Sequence, residues 1–304
     1  MKFLIVGAGA VGGYFGARLA EKGEDVTFLV REKRKEQMKK RGLRIQSIHG
    51  NTTIQAKTIT MEDTGLFDVV LLGTKAYHLE NVIETIRPFI HDQTVIIPML
   101  NGIAHLDRLR KAFSTEQVIG GLCFIESTLN EFGDIVQTSQ IHRFVFGELN
   151  GERSERVKKI EAAFAGTNAM IEVSDSVLTE MWHKYMFITT MSGVTTLYNQ
   201  PVGPIRELPS GEQVIRGLFA EIGAIMRAVG APIADQVEEK QWKQMGGVEY
   251  EMKSSMQRDM EKGLPIEREH LQGYLLKLAE LHQIQAPILA TIYTNLLFYH
   301  PESS

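Results

Sequence analysis

The sequence has a single cysteine, Cys123, among its 304 residues. It can close no intrachain disulfide and offers no cysteine-rich metal site, and a reducing cytoplasm suits it. His78, His142, His183 and His282 form no compact motif such as His-Glu-x-x-His, so no metal is expected. No apolar run is long enough to cross a bilayer, and the first apolar stretch, about five residues, is too short for a secretory signal. Strong internal repeats, low-complexity tracts and long disordered linkers are also absent. Neither charge dominates, and a formal balance of -4 gives no general attraction to nucleic acid.

What is present describes a folded chain. With 43% hydrophobic and 23% charged residues, it can bury a substantial core and is long enough for two domains. Charge gathers only at Arg31, Lys33, Arg34, Lys35, Lys39, Lys40 and Arg41, against Glu32 and Glu36. The later members of this run read as an ordinary solvated helix.

The most informative stretch is Gly7-Ala8-Gly9-Ala10-Val11-Gly12, which follows an apolar strand and enters a helix. Gly7 can make the tight turn, Gly9 can admit a pyrophosphate close to the backbone, and Gly12 can let the helix pack on the sheet. The helix N-terminus then faces the anion. Strand and helix patterns alternate onward: strands at Phe3 to Val6, Val26 to Val30, Asp68 to Leu72 and Thr94 to Ile97, helices at Val11 to Lys22 and Tyr77 to Ile90. Leu43 to Ile48 and Thr53 to Ala56 read as strands joined at Gly50-Asn51. Shorter strands from Val118 to Phe146 are expected to extend the sheet or form its edge. A helix from Arg153 to Phe164 and a strand from Ala169 to Val173 close this half.

Beyond Asp175 the pattern is helical, through Lys184 toward Thr196, then at Gln213 to Val229, Gln236 to Met245, Ile266 to His282 and Pro287 to Phe298. The expected fold class is α/β: a Rossmann-like dinucleotide-binding domain over residues 1-170, then an all-helical domain over 171-304. Substrate is expected in the crevice between the halves. The late hydrophobic helices suit either a homodimer or burial inside one chain.

An NAD-selective site often has Asp or Glu at the end of the second strand. Here the strand ends Leu29-Val30-Arg31, and a guanidinium there suits a 2'-phosphate. NADPH is the expected cofactor.

The glycine motif, Arg31, Lys75, Asn101, Lys184 and the Ser255-to-Glu267 segment together resemble the ketopantoate reductase family over nearly the whole chain. The resemblance implies NADPH-dependent reduction of 2-dehydropantoate to pantoate in pantothenate synthesis, in the cytoplasm and often by a dimer. It implies that Gly7, Ala8, Gly9, Ala10, Val11, Gly12, Arg31, Lys75 and Asn101 bind NADPH/NADP+. It also implies that Asn101, Lys184, Ser192, Ser255 and Glu267 bind substrate, with Lys184 and Glu267 catalytic. By themselves these are commonplace residues: Lys75 and Lys184 read as surface charges, Asn101 as a turn residue, Glu267 as an early-helix acid and Ser255 as a local cap.

One departure concerns substrate. The family places asparagines one and two turns beyond its lysine, and this chain has Ile188 and Ser192 there. Thr189, Thr190 or another loop are the available substitutes. A related reductase of another small 2-keto acid and a noncatalytic NADPH-binding regulator are the alternative readings.

Overall fold

The computed structural model describes residues 1-301 in two units, Met1-Leu100 with His105-Val177, and Asn101-Ala104 with Leu178 onward. In the first unit β1 (Lys2-Val6) runs into α1 (Ala10-Lys22), then β2 (Asp25-Leu29), α2 (Glu32-Arg41), β3 (Leu43-Ser47), β4 (Thr52-Ile54), β5 (Lys57-Ile59) and β6 (Phe67-Leu72). There follow α3 (Leu79-Ile86), β7 (Ile90-Pro98), α4 (Ala104-Ala112), β8 (Gly120-Leu129), β9 (Ile135-Gly147), α5 (Glu155-Phe164) and β10 (Met170-Val173). A parallel sheet in the order β5-β2-β1-β6-β7 puts the apolar β1 in its middle, where Phe3, Leu4 and Ile5 are fully buried. A strand covered on both faces can be apolar throughout, which accounts for the unbroken Phe3-to-Val6 run.

The strands after Val118 form a second sheet, which corrects the expectation that they extend the first. Val118 does make an isolated parallel bridge to Ile96, but β9 then pairs with β8, β10 and β3. α1 lies between the sheets: a side-chain carbon on Gly16 would meet Ile5 and Phe28 of the first, and one on Gly13 would meet Ile135 of the second. Even Arg18 is 1% exposed there, bonded to Glu21 and to the Gly50 carbonyl oxygen over the Tyr14 ring. Tyr14 Oη bonds His142 Nδ1 at 2.7 Å, and His142 stacks on His49. Burial, then the neighbouring His49 and Arg18, push the His142 pKa down to about 4.

The second unit is helical: α6 (Val177-Tyr198), α7 (Val202-Glu207), α8 (Pro209-Ala228), α9 (Val237-Gly246), α10 (Ser255-Glu261), α11 (Tyr274-Leu281) and α12 (Pro287-Leu297). Gly193 lets α6 approach Ile292 of α12 and Leu218 of α8, and the Glu221 carboxylate on α8 accepts from the Ile288 and Leu289 amides at the start of α12. Two boundaries differ from the sequence reading. The first unit continues to Val177 instead of residue 170, because β10 pairs along β9. The expected helix from Ile266 to His282 begins only at Glu269, with a π-helical stretch, Glu269-Gly273, that runs directly into α11. No helix among the described residues is long and apolar enough to cross a membrane.

Candidate active site

The glycine loop is shaped by backbone crowding. Gly7 has φ +92°, and a side-chain carbon on Gly12 would lie 2.4 Å from the Gly7 carbonyl oxygen, so the turn and the start of α1 have no room for larger residues. Gly9 differs: its φ is -85°, and a side-chain carbon there would meet nothing within 4 Å. Nothing within the chain demands glycine at that position, which leaves the open space over its half-buried backbone as the feature it preserves. α1 begins at Ala10 with no side-chain cap and no acid in its first turn, so its amides can serve an external anion.

Arg31 is exposed at the cap position between β2 and α2. Burial, and then the Arg31 charge, lower the pKa of His78, which places that histidine near the guanidinium. Lys75 precedes the short turn of helix at Ala76-His78, after β6. Arg34 reaches back from α2 toward the Ala8 carbonyl oxygen at 3.4 Å, and its Nη1 donates to Gln37 at 2.6 Å. Sequence alone marks Arg34 only as a member of the solvated charge run and gives His78 no part, since their positions carry no signal without the fold.

A side-chain cluster occupies the second unit. Lys184, half-buried on α6, donates from Nζ to Asn101 Oδ1 at 3.0 Å. The backbone carbonyl oxygen of Asn101 accepts from His270 Nε2 at 2.7 Å. Glu267 is 9% exposed just before the π-helical stretch, and its charge raises the pKa of His270 while burial, the larger influence, lowers it. The arrangement offers an ammonium held by an amide oxygen, with a carboxylate next to an imidazole. An ammonium can stabilise charge developing on an oxygen and deliver a proton to it. Among the described residues no group of three or more His, Cys, Asp or Glu could hold a metal ion.

Residues 3-151 match the family described as ketopantoate reductase PanE/ApbA, and residues 176-300 match its C-terminal domain. This chain belongs to the ketopantoate reductase family. An uncharacterized oxidoreductase, YkpB, of Bacillus subtilis (strain 168) is 50% identical to this family member over 99% of this chain and all of the relative. The crystal structure of 2-dehydropantoate 2-reductase from Geobacter metallireducens GS-15 superposes with a TM-score of 0.88 at 30% identity, covering 98% of this chain and 99% of that one. D-mandelate dehydrogenase, in a ternary structure with NADH and anilino(oxo)acetate, shares the fold alone: TM-score 0.88 at 19% identity, covering 98% and 97%. The protein is thus an oxidoreductase of the ketopantoate reductase family, with a Rossmann-like first unit.

Of the residues the family resemblance marked in the second unit, the fold brings Asn101, Lys184 and Glu267 into one neighbourhood, with His270 linking them. Asn101 groups with the helical unit although it directly follows the first unit's Leu100. Ser192 is 4% exposed, whereas Ser255 is exposed as the first residue of α10. Its neighbour Ser254 is the cap: its hydroxyl accepts from the Gln257 amide and bonds Thr195 Oγ1 at 2.8 Å. Thr189 and Thr190 are fully buried, with hydroxyls that have no hydrogen-bond partner. Helical geometry turns them about 140° and about 240° from Lys184, so they do not stand in for the two amides of the family pattern. Nothing in the sequence singles out His270 beyond its spacing after Glu267.

Proposed function

We propose that this family member reduces 2-dehydropantoate to pantoate with NADPH, in pantothenate biosynthesis in the cytoplasm. The observation that carries the reading is the Lys184 ammonium held on the Asn101 amide, near a buried Glu267, in a chain that also has an uncapped glycine loop. The first unit holds NADPH/NADP+: Gly7 through Gly12, with Ala8, Ala10 and Val11 between, take the pyrophosphate, Arg31 takes the 2'-phosphate, and Lys75 serves the nicotinamide side; Asn101, which groups with the second unit, is a further cofactor-binding residue. The second unit binds the keto acid and supplies the surface of a homodimer.

NADPH, when bound, supplies the hydride that reduces the ketone carbon. Lys184 stabilises the charge that develops on the ketone oxygen and donates the proton that completes the alcohol. With Asn101 Oδ1 accepting from Lys184, the amide nitrogen is left as the donor toward a polar ligand. Glu267 orients Lys184 or holds a substrate hydroxyl, while Ser192 and the exposed Ser255 provide hydroxyls for the substrate's polar groups.

Ile188 favours a second reading, a related NADPH-dependent reductase of another small 2-keto acid, because it can neither donate nor accept a hydrogen bond. NADPH oxidation followed spectrophotometrically with 2-dehydropantoate and neighbouring 2-keto acids decides between them. Rapid turnover of 2-dehydropantoate upholds the first reading, and turnover of another acid alone replaces it with the second. Tight NADPH binding without any turnover makes the protein a noncatalytic regulator.

A further inference from the structure

We propose that His270 is a positioning residue for the reduction: it holds the Asn101 turn, and through that turn the amide that orients the Lys184 ammonium. The inference rests on the assignment of Lys184 as proton donor. A carbonyl oxygen only accepts, so the 2.7 Å bond to Asn101 O requires the proton on His270 Nε2. In the neutral ring, which burial favours, Nδ1 is then the acceptor.

Two features prepare this contact. Gly102 has φ +80°, and a side-chain carbon there would lie 3.0 Å from His270 Cδ2 and 3.1 Å from Nε2. The left-handed turn after Asn101 and the close approach of the imidazole thus require glycine at the same place. The ring is itself held by the π-helical stretch, in which the His270 and Leu271 amides both donate to Glu267 O and the Gly273 amide donates to Arg268 O. Tyr185 ties this stretch to α6 by donating from its hydroxyl to Leu271 O at 2.5 Å.

Lys184 and His270 are therefore joined twice, through Asn101 and through their neighbours Tyr185 and Leu271. The second link fixes the two backbones. The first fixes the amide: with the main chain at Asn101 held by His270, Oδ1 stays toward the ammonium. Removing the imidazole donor frees the turn to rotate and lets Lys184 leave its acceptor, while the helices stay in place.

The test is a set of variants read by kcat, NADPH affinity and thermal melting, with the histidine tautomer as a readout independent of turnover. His270→Phe keeps a ring without a donor and should lower kcat about tenfold or more, leaving NADPH affinity within about twofold. His270→Gln, which places an amide donor near the position of Nε2, should recover most of that loss. In an Asn101→Ala background, His270→Phe should lower kcat by no more than about twofold further, since both changes cut the same link. Nitrogen NMR of histidine-labelled wild-type protein, with His270→Gln for assignment, should show the Nε2-H tautomer near neutral pH.

Equal losses in the Phe and Gln variants, unchanged kcat in His270→Phe, or multiplying losses in the double variant would overturn the proposal. So would an Nδ1-H tautomer, which remains measurable if His270→Phe does not fold. Wild-type protein that turns over no keto acid sinks the proposed function instead, and the tautomer still reports whether the Asn101 contact exists.

Discussion

The glycine loop and the Lys184 cluster are built in opposite ways. The loop is made of backbone from a few consecutive residues, and its shape depends on atoms that are missing: Gly12 has no room for a side chain against Gly7. The cluster is made of side chains from distant segments, with Asn101 bonded to residues 83 and 169 positions away. The loop should therefore fail when atoms are added, and the cluster when atoms are removed.

The largest effect is expected at the cluster. Lys184→Ala should lower kcat by about 10³-fold while NADPH affinity and melting temperature stay near wild type, as removal of a proton donor and oxyanion-stabilising group does. Turnover close to wild type in steady-state assays would remove Lys184 from the chemistry. Next, Gly12→Ala should cost about 1-3 kcal/mol in denaturant unfolding and weaken NADPH binding, because the new carbon meets backbone at 2.4 Å.

Arg31→Ala should raise the KM for NADPH by about tenfold or more and leave that for NADH nearly unchanged, the signature of a lost charge-assisted bond to a 2'-phosphate. Equal changes for both cofactors would place the phosphate elsewhere. Gly9→Ala sharpens the contrast within the loop. With nothing within 4 Å of the added carbon, the melting temperature should hold, while isothermal titration shows NADPH binding weakened by about tenfold.

The effect furthest from the chemistry belongs to the packing around α1. His142 is held at a pKa of about 4, below the roughly 6.5 of an unfolded histidine. Between those values the unfolded chain binds more protons, so stability is intact above about pH 6.5 and falls as the pH drops toward about 4. Melting curves of wild type and His142→Phe across that range should converge toward the acid end if His142 carries part of the loss.

The alternation of strands and helices in the first half was legible because each element is specified by neighbours in sequence. The second sheet was not, since its pairings join remote segments, as in the register of Ile45 with Ile135. The same pairing logic moved the unit boundary: β10 is a short strand that counts with the first unit only because β9 lies beside it. Within the second unit the periodic run from Ile266 concealed the π-helical stretch, because bonds that reach back five residues, as from the Gly273 amide to Arg268 O, change the backbone without changing the apolar pattern.

The sequence by itself determined a two-part chain, a glycine loop between β1 and α1, and a basic residue at the end of β2. These are local consequences of glycine spacing and apolar periodicity, which need no distant partner to be read. Tertiary structure alone decided that Asn101 belongs with the helical unit, that Lys184 rests on its amide, and that His270 grips its carbonyl oxygen. Each depends on closing a long loop and aiming a side chain across it, and that outcome is set by the packing of the whole unit.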